Sequence, residues 1–468
     1  MISQRRLTII FGLILVLVAC TRPQATPDSV GPLAPPDTLS QPTTTRPAPT
    51  TTLDVERSSI IRVDPTTLET LDGYQPLPMG DWSDWYWSDT SDNERWLAMT
   101  VGDDSSGSSE LRLIDLETWE VVESWAVGTG GPLHVDDEGT VRTFGGSSEL
   151  LSYAPSPGGS RAAIDLPIGF SSWTQIDVQQ DRVRLFGATT SGLGSDASIV
   201  VIDLPTSEVT HHPLPEVPMG TIDQIELSPT ETAAVDASPV VVWDGARAFV
   251  VHAGEDVVTE VDLESGVVAE HRFGPAELEV SGELDESSSR QAAYVGHYRT
   301  AALAPDGSTL FVATQAGEVN VTEDSWQTSS SPLGLTAVDT VNWKVSDSLE
   351  APISNISISP DGTRLLGTGY RDTQGVNTYT YESSSYYLID PANLEVISEF
   401  GLEDPVTGNF SPVSYGLDDV AYLTSWGDAM SEIQVIELAN GAVLNTRTGS
   451  ELWILGPVGV LGQTGPAG

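Results

Sequence analysis

Lysine is almost missing from this 468-residue chain: Lys344 is the only one. Lys and Arg together number 20 against 67 Asp and Glu, a formal net charge of -47. So acidic a surface repels polyanions, which excludes nucleic acid and anionic lipid headgroups as partners. Cysteine is as scarce. Cys20 stands alone, so no disulfide can brace the chain internally. Beyond residue 56 there is almost no repeat of apolar residues every three to four positions, which argues against helical architectures. There is no G-x-S-x-G, no H-E-x-x-H and no P-loop. "GTGG" at Gly128 precedes no helix and cradles no phosphate. The six histidines have no partners at metal-ligand spacing. His211 and His212 are adjacent in a strand, take opposite faces, and cannot share one metal.

What is present begins at the N-terminus. Arg5 and Arg6 precede an apolar run from Leu7 to Val18, shorter than the ~20 residues of a spanning helix. That is the grammar of a signal peptide over residues 1–19. Leu17-Val18-Ala19-Cys20 is similar to the lipobox of bacterial lipoproteins. The resemblance implies a diacylglyceryl group of palmitate-class chains on Cys20, and cleavage that leaves Cys20 as the first mature residue. Two acyl chains hold a protein where one holds it only marginally. The expected location is therefore the cell membrane, lipid-anchored, on the extracytoplasmic side. Residues 20–56 are rich in Pro and Thr, and without apolar periodicity they form an extended tether. Fully extended, that tether reaches on the order of 100 Å.

Residues 57–463 repeat one unit, followed by a tail at 464–468. An alternating strand ends in an acid, a short turn follows, then a second strand, as in "LRLIDLETWEVVESW" and "YYLIDPANLEVISE". The marker acids are Asp64, Asp115, Asp203, Asp262, Asp339, Asp390 and Glu437, with Tyr153 in a degenerate copy. A carboxylate there accepts backbone N–H groups two residues on and nucleates the turn. A second hairpin precedes each unit, most plainly at "APDGST" (Asp306) and "SPDGTR" (Asp361). Four short strands, called A to D from the inside outward, recur about every 40–50 residues, the period of a β-propeller. "SPDGTRLLGTG" and "STLFVATQAGEVNV" resemble the YVTN-type and WD-repeat-like propellers of bacterial envelopes. The fold class is thus all-β, a propeller of four-stranded blades. The chain enters on C and D strands and leaves on "SELWILGPVGVLGQTG", which reads as A and B strands. Their pairing would close the ring, giving eight blades, with seven as the alternative.

Function is expected where the long connections gather. The A–B and C–D turns are tight. The long segments are B–C or D–A loops, which share one face, and such loops carry binding residues. Tyr298, Trp326, Tyr370, Arg371, Tyr379 and Tyr381 are the candidate ligand-binding residues on that face. The expected function is a surface-tethered binding or scaffold propeller, a monomer, taking a protein or cell-envelope polysaccharide. The alternative is a propeller enzyme, a lactonase-like hydrolase or quinone-dependent dehydrogenase, with its site in the central channel. No cofactor is expected. A divalent cation is the one alternative use of the acidic clusters at Asp81–Glu94 and at Asp136, Asp137 and Glu138, although neither has calcium-loop spacing.

Overall fold

The computed structural model describes residues 58–463 except 81–86, 104–107, 128–132, 145–147, 156–159, 168–174, 180, 189–194, 229–230, 275–293, 322–325, 376–377, 401–413, 417–418, 427–430, 450–451 and 456–459. Cys20 and its tether lie outside the described residues. Every regular element that is described is a β-strand. They form a β-propeller of four-stranded antiparallel blades.

Blade 1 is Ser88–Thr90, Trp96–Asp103, Ser108–Asp115 and Glu120–Val127. Blade 2 is His134–Val135, Val141–Phe144, Glu149–Ala154 and Ser160–Asp165. Blade 3 is Gln175–Gln179, Arg182–Ala188, Asp196–Asp203 and Glu208–Pro218. Blade 4 is Val240–Asp244, Arg247–Val251, Val257–Asp262 and Val268–Arg272. Blade 5 is Tyr294–Leu303, Thr309–Val321, Trp326–Asp339 and Lys344–Leu349. Blade 6 is Asn355–Ile358, Leu365–Gly375, Thr378–Ile389 and Val396–Phe400. Blade 7 is Ser414–Tyr415, Val420–Trp426, Ser431–Glu437 and Val443–Gly449.

A composite sheet closes the ring. Its A and B strands, Leu452–Ile454 and Val460–Gln463, come from the end of the chain, and its C and D strands, Ser58–Arg62 and Leu77–Gly80, from the beginning. Ser59 opposes Gln463 and Arg62 opposes Val460. Hydrogen bonds fuse blades 5 and 6, with a hairpin that precedes blade 4, into one ten-stranded sheet. Blades 1 to 7 and the composite sheet are eight four-stranded units, and the bonds that fuse blades 5 and 6 leave seven separate hydrogen-bonded sheets.

The core lies between blades, and every neighbouring pair shares a hydrophobic cluster. Phe186 and Ile199 of blade 3 pack with Val241 and Val250 of blade 4. The composite sheet is held on both sides, by Ile60, Leu455 and Val460 against Leu97 and Met99 of blade 1, and by Ile61 and Leu68 against Tyr422 and Ile433 of blade 7. Middle strands are covered on both faces. Asp196–Asp203 is accordingly buried at six consecutive positions rather than at alternate ones. The outer strand Val268–Arg272 alternates exposed and half-buried, as a perimeter strand must.

The marker acids do what their position predicts. Asp64 Oδ1 accepts the N–H of Thr66 and Thr67 at 2.9 and 2.7 Å. Asp115, Asp262 and Asp339 repeat this, and the bonds hold the Asp64, Asp262 and Asp339 carboxyls below the usual range. The residue four beyond each marker is left-handed: Leu68, Trp119, Ser207, Gly266, Trp343, Leu394 and Gly441 all have φ between 52° and 75°. Leu68, Trp119 and Leu394 are buried, so packing of the side chain offsets the conformational cost.

Side chains also stitch one blade to the next along the inner strands. Asp89 Oδ2 accepts the Val135 N–H at 2.9 Å, Gln175 Oε1 accepts the Val241 N–H at 3.3 Å, and Thr300 Oγ1 accepts the Ile356 N–H at 3.0 Å. Innermost strands have an unpaired backbone edge, and these bonds satisfy part of it.

Candidate functional site

The strands of blade 4 are five or six residues long. The B and C strands of blade 5 are 13 and 14 residues, and those of blade 6 are 11 and 12. The surplus is the segments "QAGEVNVTEDSWQTSSSPLG" and "YRDTQGVNTYTYESSSYY", which the sequence reading placed in loops. That reading is corrected: the described parts of both are strands. Thr, Tyr and Val alternate there, and such residues suit a pleated surface. Over Gln327–Ser330 and Asp372–Gly375 both edges of the strand are paired, one within its hairpin and one between hairpins. The C strand of blade 5 pairs with the B strand of blade 6 from Gln327↔Gly375 to Ser330↔Asp372.

The pairing continues on the other side. The A strand of blade 5 begins above its blade, and Ala234↔Tyr294 to Ser238↔Tyr298 form a parallel ladder with the strand Glu231–Ser238. That strand is itself paired with Gly220–Ser228, within the D–A connection that leads into blade 4. D–A and B–C connections lie on the same side of a four-stranded blade. An extension sheet seven strands wide therefore stands on that side of the propeller.

Register decides which residues share a face, because successive residues alternate. Tyr298 opposes Gln315. Gln315, Gly317, Val319 and Val321 follow at even spacing, with Val321 opposite Trp326 and Val319 opposite Thr328. Thr328 opposes Gln374, which opposes Tyr379. Ser330 opposes Asp372, which opposes Tyr381, and Tyr370 opposes Ser383. By this chain Tyr298, Trp326, Tyr370, Tyr379 and Tyr381 fall on one face of the sheet, and Tyr294 joins them two pairs before Tyr298. Arg371 falls on the opposite face, opposite Glu382. The structure thus brings five of the six candidate positions together and sets the sixth apart.

Asp236 and Asp372, at aromatic-face positions, were missed by sequence reasoning. Asp236 opposes Gly296, which has Tyr294 and Tyr298 two residues to either side. Asp372 opposes Tyr381 and has Tyr370 two residues before it. The period-two spacing of Tyr370 with Asp372 and of Tyr379 with Tyr381 was the available signal.

The root of the sheet is firmly set. Gln315, 2% exposed, donates from Nε2 to Ser330 Oγ at 2.8 Å. Tyr298 is half-buried. Arg299, beside it in the chain, is buried, and its Nη2 donates to Asp256 Oδ1 at 2.6 Å. Burial lowers the Arg299 guanidinium from its ordinary value, and Asp256 counters part of that. Across blade 4, His252 Nε2 is 2.8 Å from Thr259 Oγ1, and burial pushes that imidazole down to about 4.

The other candidates have structural work. Asp136 Oδ1 accepts the N–H of Glu138 and Thr140, and its Oδ2 accepts from Arg142 at 2.9 Å. Asp137 Oδ1 accepts the Asn93 N–H at 2.8 Å. Residues 81–86 of the first acidic cluster lie outside the described residues. The buried pair of Arg184 and Asp177 is bonded at 2.7 Å, and Arg184 Nη1 also donates to the Gly245 carbonyl of the next blade. Among the described residues no group of three His, Cys, Asp or Glu converges as a metal site would.

The class this architecture defines is the β-propeller, built on four-stranded blades and closed by its own chain ends. No protein-family model and no curated protein matches the chain. Among solved structures it is similar to Sqt1 of Saccharomyces cerevisiae, with a TM-score of 0.48 and 10% identity over 82% of this chain and 96% of that one. It is also similar to BamB from Moraxella catarrhalis, with a TM-score of 0.44 and 11% identity over 87% and 99% of the two chains. For apo AztD from Citrobacter koseri the values are 0.43 and 12%, over 89% and 100%. At such identity the likeness concerns the fold alone.

Proposed function

We propose that this chain is a non-catalytic binding propeller, held on the extracytoplasmic side of a membrane by a lipid on Cys20. Its D–A and B–C side takes a partner from the cell envelope. The observation that carries the reading is the extension sheet. A continuous register places Tyr298, Trp326, Tyr370, Tyr379 and Tyr381 on one face, and blades 5 and 6 root that sheet in a rigid ring. Large aromatic residues on a rigid platform lose little conformational freedom on binding, which is why they dominate binding surfaces. The tether supports the same reading, because it would hold the face clear of a membrane.

The test is capture from solubilised envelope by the full chain, compared with a Trp326→Ala, Tyr379→Ala, Tyr381→Ala variant. The triple variant is expected to keep its melting temperature and lose the captured ligand. Retention of every ligand by that variant, with loss on substitution in the tight A–B turns, sinks the assignment of the face. The anchor is tested separately. Cys20→Ser is expected to move the protein from the membrane to the soluble fraction with the propeller intact. If Cys20→Ser stays in the membrane fraction, the lipid reading is wrong.

A further inference from the structure

Strand direction fixes the side of the ring from which the N-terminal part of the chain arrives. In a four-stranded blade the C strand starts on the B–C side and ends at the C–D turn. Ser58–Arg62 is the C strand of the composite sheet, and its start faces the end of the B strand, with Ser59 opposite Gln463. The chain therefore enters the ring on the B–C and D–A side, where the extension sheet stands. Entry point and sheet are set apart on that side, because blade 7 packs between the composite sheet and blade 6. The B strand of blade 5 has 13 residues against five in blade 4. At 3.3 Å per residue the sheet rises about 26 Å above its neighbour. A chain the length of residues 20–56 spans roughly 35 Å as a coil and about 100 Å fully extended. Both exceed the height of the sheet, so the sheet fits upright between the ring and a membrane that holds Cys20.

Resting on the anchor and the binding face proposed above, we infer that the extension sheet faces the membrane and takes the extracytoplasmic part of a membrane-embedded protein. A tether that leaves one side of a rigid disc holds that side toward its anchor. Turning the disc over uses up tether by at least the thickness of the ring, about 20 Å for strands of five or six residues, which is a large part of the relaxed reach. Anything fixed in the same membrane within that reach is met at a raised effective concentration. A wall polymer farther out meets the tight A–B and C–D turns instead. Lipid headgroups do not fill the gap, because a net charge of -47 repels an anionic surface.

The test starts from the full lipidated chain in phosphatidylcholine vesicles whose headgroups carry an acceptor dye. The lipid blocks Cys20, so Glu216→Cys and Val341→Cys each offer one free thiol for a donor dye. Glu216 is exposed near the D–A end of the outer strand of blade 3, and Val341, 79% exposed, lies in the C–D turn of blade 5. The dye on Glu216→Cys is expected to transfer roughly twofold more energy to the membrane than the dye on Val341→Cys. Equal transfer, or the reverse order, overturns the orientation. Cys20→Ser is expected not to bind these vesicles; if it binds, the sheet takes lipid and the protein partner is wrong. In cells producing the full chain, a photoreactive amino acid in place of Asn320, far out on the B strand of blade 5, is expected to crosslink a protein with membrane-spanning segments. The same amino acid in place of Val341 is expected not to. Wall polymer in the Asn320 adduct, equal adducts at the two positions, or no adduct at Asn320 overturns the partner class and leaves the anchor standing. A wild-type chain that never enters the membrane fraction refutes the anchor itself, and the orientation with it.

Discussion

The ring of Pro305 lies against Gly362. A Cβ added at Gly362 would sit 2.5 Å from both Cδ and Cγ of that proline, and the glycine has φ +74°. Pro305 belongs to the A–B turn of blade 5 and Gly362 to the A–B turn of blade 6, so the two similar turns of the sequence are in contact, one packed on the next. Gly307 stands in the same way to Asp244 of blade 4, with its added Cβ 3.4 Å from Oδ2. Gly362→Ala therefore meets both a backbone penalty and an overlap, and is expected to cost about 2–4 kcal/mol. Gly73→Ala, at φ +91° with nothing within 4 Å, should cost only the backbone part, about 1–2 kcal/mol. Urea midpoints of the two variants check this, and equal losses would mean the turns do not bear on one another.

The left-handed position of the C–D turns gives a prediction of opposite sign at two sites. Ser207 has φ 58° and an exposed side chain, so Ser207→Gly relieves strain and is expected to stabilise by up to about 1 kcal/mol. Leu68 has φ 57° and is 2% exposed, so Leu68→Gly should lose about 2–5 kcal/mol of packing. Differential melting of the pair reads the sign directly.

Closure by the chain ends predicts that removing residues 449–468 is costly. The cut deletes the strand opposite Ser58–Arg62, takes Leu455 and Val460 from one hydrophobic cluster and takes Leu452 from another. The expected result is loss of a single cooperative melting transition. A milder probe of the same contact is Leu455→Ala, fully buried, at about 2–4 kcal/mol. An unchanged melting temperature in the truncated chain would refute the closure.

Acid should weaken the fold before most carboxylates titrate. His252 is buried and neutral, and its pKa falls from 6.5 to about 4; Glu270 raises it, while Arg299 and Arg272 lower it. The folded value lies below the unfolded one, so the unfolded chain takes up the proton first as pH drops. The stability from this group is whole above about pH 6.5 and declines toward pH 4, by about 2 kcal/mol at pH 5. Denaturant midpoints between pH 7 and 5 should show this slope in the wild type and a shallower one in His252→Gln.

Much of the ring was legible in the sequence because its turns are local chemistry. Asp64, Asp115, Asp262 and Asp339 bond to backbone within three residues, so each carried its own signal. The pairing of Ile60 with Gly462 was legible only by elimination, as a half-unit at each end of the chain. The extension sheet was not legible as strand. "QTSSSP" and "TQGVNTY" are rich in Ser, Thr, Asn and Gly, which mark loops when read alone, and what extends them is pairing between Ser330 and Asp372 of different blades. Arg371 illustrates the same limit: beside Tyr370 in the chain, it falls on the other face once alternation is imposed. The left-handed slot at Trp119 and Trp343 was hidden because only Gly266 and Gly441 announce it.

The composite sheet also sets an order of events. Ser58–Arg62 leaves the ribosome roughly 400 residues before Val460–Gln463, its partner in the ladder. At 5–20 residues per second, that strand waits on the order of 20–80 s with one edge bare. Its inner neighbour is the last of the described strands to be made. Blades 1 to 7 can pack on one another in order as they emerge, yet the ring stays open until the end arrives. A ribosome stalled near the C-terminus would hold an arc of finished blades with two adhesive ends, and two such arcs could join each other in place of closing on themselves.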